Sequence, residues 1–171
     1  MSHDTPTPIN VVVRGLVAAA VGTAAMDTLL FARYRRGGGE TRFVDWEFSA
    51  GLDSWEDAPA PAHVGKRLVE GLFQIELPPE RARLVNNVTH WAFGIANGAA
   101  YGLVVGSLPT SRISYGLPFG AGVWANGYVV LPAAKLYEPI WKYDVKTLAN
   151  DLSAHLVYGL ATAAAWRLLP G

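Results

Sequence analysis

Residues 89–102 read THWAFGIANGAAYG, which places glycine at 94, 98 and 102 and a histidine at 90. In water, each of these glycines would cost a helix about 1 kcal/mol relative to alanine. A lipid bilayer changes that balance, because lipid tails are as apolar as leucine and close contact between small residues brings helices together. The stretch is therefore typical of a helix packed inside a membrane bundle.

The composition excludes several classes of protein. Hydrophobic residues make up 51% of the chain and charged residues 16%, against about 25% charged residues in soluble domains. Basic and acidic residues number 14 each, so the net charge gives no sign of a nucleic-acid partner, and the absence of cysteine excludes thiolate chemistry. The chain also lacks the HExxH, GxSxG, Walker and GxGxxG motifs. We expect a protein that is not an enzyme.

Four apolar segments approach the roughly 20 residues that a helix needs to cross a bilayer. They are residues 9–32, 87–108, 113–134 and 150–168. A soluble bundle of buried helices is the alternative, and the middle two segments disfavour it because neither contains Asp, Glu, Lys or Arg. The first segment has no basic residue ahead of Arg14, which favours a retained anchor over a cleaved signal peptide. We expect an all-α, polytopic protein with one domain over residues 1–171.

The distribution of basic residues predicts the orientation in the membrane. Residues 33–86 and 135–147 together carry eleven Lys and Arg residues, whereas the other side carries only Arg14, Arg112 and Arg167. Cytoplasmic loops are enriched in these residues. The sequence therefore predicts an inner-membrane protein with both termini outside and both larger loops in the cytoplasm.

Small residues recur on one face of each span and predict where the helices pack. The set comprises Gly94, Gly98, Gly102 and Gly106 in the second span, Gly120 in the third and Gly159 in the fourth. Residues 90–103 and 155–168 also share six of fourteen residues at an offset of 65, and residues 15–32 resemble 116–133 at an offset of 101. These matches predict two helical hairpins related as a parallel tandem repeat.

The long first loop contains two notable segments. Residues 43–57 alternate acidic and aromatic residues, which indicates either a docking site for a cytoplasmic partner or an interfacial loop with its rings at head-group level. In residues 61–77, Val64, Leu68, Leu72 and Ile75 fall on one helical face. This second pattern predicts an amphipathic helix on the membrane surface.

Three ionisable residues interrupt the spans at similar depth. Asp27 lies about 9 Å inside the predicted cytoplasmic boundary, and His90 and His155 lie near the same level. The remaining polar candidates on the inward faces are Asn86, Asp151, Asn97 and Asn126. Ionisable groups inside a membrane are costly and are functional candidates by default.

This polar layer has three interpretations. It is a proton or small-cation site, since histidine titrates near neutral pH and Asp27 can hold a neighbouring histidine in its charged form. Alternatively, His90 and His155 are the two axial ligands of a haem in an electron-transfer subunit, with the nearby glycines admitting the flat macrocycle. The third interpretation is a hydrogen-bonded clasp between helices. No other cofactor is predicted.

The chain resembles the YagU-like family of small bacterial inner-membrane proteins. The resemblance rests on NNVTHWAFGIANGAAYG (86–102) and on the stretch from YGLPFGAGVWANGYVV (115–130) to HLVYGLATAAAWR (155–167). It implies that His90 and His155 occupy the two histidine positions of that family. The resemblance implies an inner-membrane location and a topology, but it implies no chemical reaction. Because a four-helix unit encloses little space, we also expect a homo-oligomer.

Overall fold

The computed structural model describes residues 7–170, and this part of the chain contains helices and no strand. The α-helices are α1 Pro8–Arg36, α2 Phe43–Glu47, α3 Ala60–Phe73, α4 Ala82–Gly106, α5 Gly116–Ala133 and α6 Val145–Leu168. Short 3-10 turns precede α4, α5 and α6 at Pro79–Arg81, Ile113–Tyr115 and Ile140–Lys142. The all-α class predicted from the sequence is confirmed.

Local sequence signals set the ends of the long helices. The side chain of Thr7 accepts a hydrogen bond from the backbone N–H of Asn10, and Pro8 supplies the first residue of α1. α1 ends where Gly37 and Gly38 follow three basic residues, and Gly38 adopts a positive φ of 93°. At the start of α6, the carboxylate of Asp144 accepts a hydrogen bond from the backbone N–H of Thr147 at 3.0 Å.

The four long helices form an arc in the order α4, α1, α6, α5. α1 makes the most extensive contacts, first with α4 and then with α6, and α5 packs on α6. α4 and α5 stand at the two ends of the arc and approach each other through aromatic side chains. The ring centroid of Tyr101 lies 4.7 Å from that of Phe119, which in turn lies 5.5 Å from that of Tyr158. A cleft between α4 and α5 results.

Two arginines of α1 donate hydrogen bonds to α6, Arg14 near the start of α1 and Arg33 near its end. Arg14 donates to the backbone carbonyl of Trp166 at 2.6 Å, and its guanidinium lies 4.3 Å from the centroid of the Trp166 ring. Arg33 donates to the carbonyl of Asn150 and to the hydroxyl of Ser153, each at 2.8 Å. These bonds fix the register between the first and last long helices.

The helix predicted over residues 61–77 is shorter than expected. α3 ends at Phe73 because Gln74 takes a left-handed conformation with φ of 54°. Its inward face is also different, since the small residues Ala62 and Gly65 are buried against α4. The larger residues Leu68, Leu72 and Phe73 are exposed. The amphipathic helix therefore packs through its small face and leaves its apolar face uncovered.

One helix in the described part of the chain, α1, is long and apolar enough to cross a membrane by length and composition. The polar, glycine and aromatic residues of α4, α5 and α6 lower their hydropathy, so those helices do not meet the same criterion. Large aliphatic side chains nevertheless point outward from all four long helices. They include Val13, Val17 and Val21 of α1, Leu103 and Val104 of α4, Leu117, Val129 and Val130 of α5, and Val145 and Leu168 at the two ends of α6.

Candidate functional site

A buried carboxylate and a histidine meet between α1 and α4. Asp27 is only 3% exposed. The imidazole Nε2–H of His90 donates to its carboxylate, with the two oxygens 3.0 and 3.1 Å away. A hydrogen bond to an ionised group is stronger than one between neutral groups. The pair therefore links the two helices at a point where an isolated charge would be costly.

The glycines of α4 permit this approach. A Cβ atom at Gly98 would collide with the carbonyl oxygen of Gly15, and one at Gly102 would collide with that of Val11. At Gly94 it would meet the hydroxyl of Thr23, which donates to the carbonyl of Ala19 at 3.0 Å. The backbones of α1 and α4 are thus in direct contact over several turns, which brings Asp27 within reach of His90.

The other predicted packing glycines also lie at helix contacts. Gly106 faces the side chain of Val11 on α1. In the second hairpin, a Cβ at Gly120 would meet the carbonyl oxygen of His155, and one at Gly159 would meet the backbone of Gly116. α5 and α6 therefore approach as closely as α1 and α4 do.

Glu47 joins the pair from outside the long helices, and the sequence analysis did not single it out. It is the last residue of α2, and its Oε1 accepts a hydrogen bond from the indole N–H of Trp91 at 2.9 Å. Partial burial raises the pKa of Glu47, and the facing carboxylate of Asp27 raises it further. Both effects shift Glu47 toward its protonated form relative to a free glutamate.

A chain of amide and hydroxyl groups lies next to these acids. Asn87 donates to the carbonyl of Phe48 at 2.9 Å, and its Oδ1 accepts from the hydroxyl of Ser49 at 3.1 Å. Ser49 in turn accepts from Asn86 Nδ2 at 2.9 Å. Asn86 Oδ1 is buried and has no hydrogen-bond partner among residues 7–170. A buried acceptor without a partner is unusual in folded proteins.

A cavity of about 310 Å³ connects these groups. Its polar lining is contributed by α1, α2 and α4 and by Ser49 just after α2, and its apolar lining by Leu30, Trp46 and two prolines. The polar lining residues are Asp27, Glu47, Ser49, Asn86, Asn87 and His90. Within residues 7–170, no group of three His, Asp or Glu residues is arranged to hold a metal ion.

The second histidine forms a different kind of pair. His155 Nδ1–H donates to the backbone carbonyl of Asp151 at 3.0 Å, and the Asp151 side-chain Oδ1 lies 3.4 Å from the same nitrogen. Both residues belong to α6, one helical turn apart. The side chain of Asp151 is 35% exposed, against 5% for that of Asp27. The Asp151 carboxylate also faces the side chains of Trp124 and Tyr128 on α5.

The two histidines line one further cavity. It measures about 260 Å³ and is bordered by His90, His155, Asp151 and two tyrosines, Tyr137 and Tyr158. Burial raises the pKa of Tyr137, and the carboxylate of Asp151 adds to that shift. The phenol of Tyr137 is therefore neutral over a wide pH range. His90 thus stands between this cavity and the one that contains Asp27 and Glu47.

Two of the predicted polar residues lie away from the Asp27–His90 pair. Asn97 donates to the carbonyl of Phe93 at 2.9 Å within its own helix. Asn126 is exposed and lines a smaller cavity of about 140 Å³ between α4 and α5, which His90 also borders. Of the residues singled out from the sequence, Asp27, His90 and Asn86 share the larger cavity, and Asp151 and His155 share the next one.

The haem interpretation fails on the surroundings of the two histidines. It needs open space at the glycines that follow them, but Gly94 is covered by Thr23 of α1 and Gly159 by the backbone of α5. In addition, the Nε2 of His90 is already bonded to Asp27. The residues present therefore do not fit a haem held between α4 and α6.

The acidic and aromatic segment over residues 43–57 folds onto the long helices. Trp46 packs against Phe31, with ring centroids 5.4 Å apart. Trp55 donates to the carbonyl of Leu77 at 3.2 Å. Phe43, Val44 and Phe48 remain exposed. The segment thus covers one end of the arc of helices and contributes Glu47 to the cavity there.

No family model, curated protein or solved structure matches this chain. The resemblance to the YagU-like family therefore stays a prediction from the sequence.

Proposed function

We propose that this protein crosses the bacterial inner membrane four times and binds a proton or small cation at Asp27, Glu47 and His90, passing it between the two cavities. The observation that carries this proposal is the position of His90, which borders both cavities and bonds to a buried carboxylate. The membrane assignment is supported by the exposed aliphatic side chains of α1, α4 and α5, because large exposed apolar surfaces mark contact with a membrane or a partner.

His90 is the group that would transfer a proton from one cavity to the other. Its Nε2 faces Asp27, and its ring also borders the cavity that contains His155. An imidazole can accept a proton on one ring nitrogen and release the other proton from the second nitrogen. A proton accepted by Nδ1 from the side of Asp151 and His155 would then release the Nε2 proton to Asp27 and on to Glu47.

Proton flux into proteoliposomes tests this proposal. Vesicles containing the protein and an internal pH-sensitive dye are given a potassium diffusion potential. The wild-type protein should carry protons faster than protein-free vesicles, and Asp27→Asn or His90→Gln should reduce the flux to the protein-free level. Asp53→Asn, which changes an exposed acid elsewhere, should leave it intact. Absence of flux in the wild type, or full flux in both site variants, would contradict the proposal.

Single-cysteine labelling tests the topology separately. The chain has no cysteine, so an introduced thiol is labelled without background. Thr110→Cys lies in the short α4–α5 connection, and Asp53→Cys lies in the long loop. A membrane-impermeant maleimide should label Thr110→Cys in intact spheroplasts and Asp53→Cys only after permeabilisation. Equal labelling of both in intact spheroplasts would remove the four-span arrangement.

A further inference from the structure

The cavity beside Asp27 has more hydrogen-bond acceptors than donors. Asp27 and Glu47 contribute carboxyl oxygens, and the amide oxygen of Asn86 has no partner. His90 and Trp91 each direct one N–H group at these carboxyl oxygens. The unused acceptors favour a ligand that brings its own N–H donors and a positive charge.

The hydrogen bonds around Asn86 fix which way its amide points. Asn87 donates to the carbonyl of Phe48, so its oxygen must accept from Ser49. The Ser49 oxygen is then left to accept, and it takes the Asn86 Nδ2–H. Reversing the Asn86 amide would place two acceptors together. Its Oδ1 is therefore directed away from Ser49, and the residue, which is 8% exposed, lines the cavity.

The dimensions and walls of the cavity indicate the class of ligand. A volume of about 310 Å³ is several times the ~30 Å³ occupied by one water molecule, so it suits an organic ion better than a bare metal ion. Trp46, Leu30 and Pro61 form an apolar part of the lining. An aromatic ring near a cation adds an attractive electrostatic interaction. Carboxylates on one side and an indole on the other are typical of sites for organic cations.

We propose that this cavity binds a compact organic cation that carries N–H donors, a primary ammonium or a guanidinium. Asp27 and Glu47 balance its charge, Asn86 Oδ1 accepts one of its N–H groups, and Trp46 contacts its carbon skeleton. The inference rests on the proposed function and names the cargo of that site.

Equilibrium binding to the purified full chain in a neutral detergent tests the assignment. Methylammonium and guanidinium are titrated in a calorimeter, and each should saturate at one ion per chain. Sodium and tetramethylammonium, which have no N–H donor, should show no saturable binding over the same range. Asn86→Leu should weaken methylammonium binding by about tenfold, because it removes a hydrogen bond to a charged group. Asn97→Leu, the matched change on the same helix, should bind like the wild type.

A second variant keeps the test informative even if Asn86→Leu fails to fold. Glu47→Gln keeps an oxygen for the Trp91 indole and lies on the short outer helix α2, so it leaves the packing of the long helices intact. It should also weaken binding by about tenfold. Equal binding of methylammonium and tetramethylammonium would overturn the inference, as would unchanged affinity in both variants. Proton flux without cation binding would contradict only the assignment of this ligand. Cation binding without proton flux would contradict the proposed transport.

Discussion

The two helical hairpins, α1–α4 and α5–α6, build their histidine sites in opposite ways. His90 takes its carboxylate from the neighbouring helix, whereas His155 takes it from its own helix. At the offset of 65, Asn86 corresponds to Asp151, and at the offset of 101, Asp27 corresponds to Tyr128. The acid thus lies on the first helix of one hairpin and on the second helix of the other. A carboxylate on the opposite helix depends on helix packing, but one on the same helix does not.

The surroundings of the two sites differ as well. α2 and α3 cover the end of the first hairpin, and Glu47 adds a second carboxyl there. At the corresponding end of the second hairpin, the ring of Tyr128 packs at a tilt against Tyr137 and edge to face against Tyr143, at centroid distances of 5.7 and 5.5 Å. One hairpin thus gathers two acids around a cavity, and the other gathers phenols around Asp151. This difference is why we assign the ligand site to the first hairpin.

The largest effect is expected from glycines where backbones touch. Gly98→Ala would push a methyl group into the carbonyl of Gly15, and Gly159→Ala into that of Gly116. Each should lower the free energy of unfolding by about 1–3 kcal/mol, the usual cost of overpacking. SDS-driven unfolding in mixed micelles measures it. Gly122→Ala meets no atom within 4 Å and serves as the control. A neutral Gly159→Ala would show that only the first hairpin depends on this contact.

The next largest effect separates the two acid–histidine pairs. A double-mutant cycle with Asp27→Ala and His90→Ala should give a coupling free energy of about 1–2 kcal/mol, because the carboxylate is buried and the pair joins two helices. The same cycle with Asp151→Ala and His155→Ala should give about 0.5 kcal/mol or less, as for pairs on one helix. Both cycles use the same micelle assay. Equal coupling energies would contradict the distinction between the hairpins.

The sequence was sufficient for the long helices and for placing Asp27 within α1 and His90 within α4. Long uncharged segments give the approximate bounds of α4 and α5, and counting residues from the basic cluster at Arg33 places Asp27. The distance of 3.0 Å between Asp27 and His90 depends on the register of α1 against α4, which the contact of Gly15 with Gly98 sets. A periodic pattern shows which face packs, but it does not give that register.

Neither periodicity nor counting residues along a helix could have predicted the role of Glu47. It lies in a long connection, and it reaches Asp27 only because residues after α1 fold back over the helix ends. The alternation of acids and aromatics in residues 43–57 was the one signal, and it indicated a surface rather than a particular carboxyl. Ile75 was wrongly predicted to belong to a helix. It fits the helical spacing of α3 but lies beyond the turn at Gln74.

The smallest effects concern two carboxyls outside the long apolar segments, Glu47 near the first hairpin and Asp144 at the start of α6 in the second. Their pH responses should have opposite signs. The pKa of Glu47 is raised by burial and by Asp27, so its contribution to stability is present below the ordinary glutamate pKa and is lost as the pH rises through the folded value. Hydrogen bonds from Thr147 lower the pKa of Asp144. Its contribution is therefore present above the ordinary aspartate pKa and is lost as the pH falls.

Thermal unfolding across a pH series, in a neutral detergent, measures both effects. As the pH rises, the Tm of Glu47→Gln should increase relative to that of the wild type. The difference in Tm between the wild type and Asp144→Asn should shrink as the pH falls, since asparagine also caps a helix and the substitution removes only the charge. Glu56→Gln, an exposed acid in the same connection as Glu47, should follow the wild type throughout. If Glu47→Gln also followed it, Glu47 would not be held beside Asp27, and the first hairpin would have a single acid at its histidine like the second.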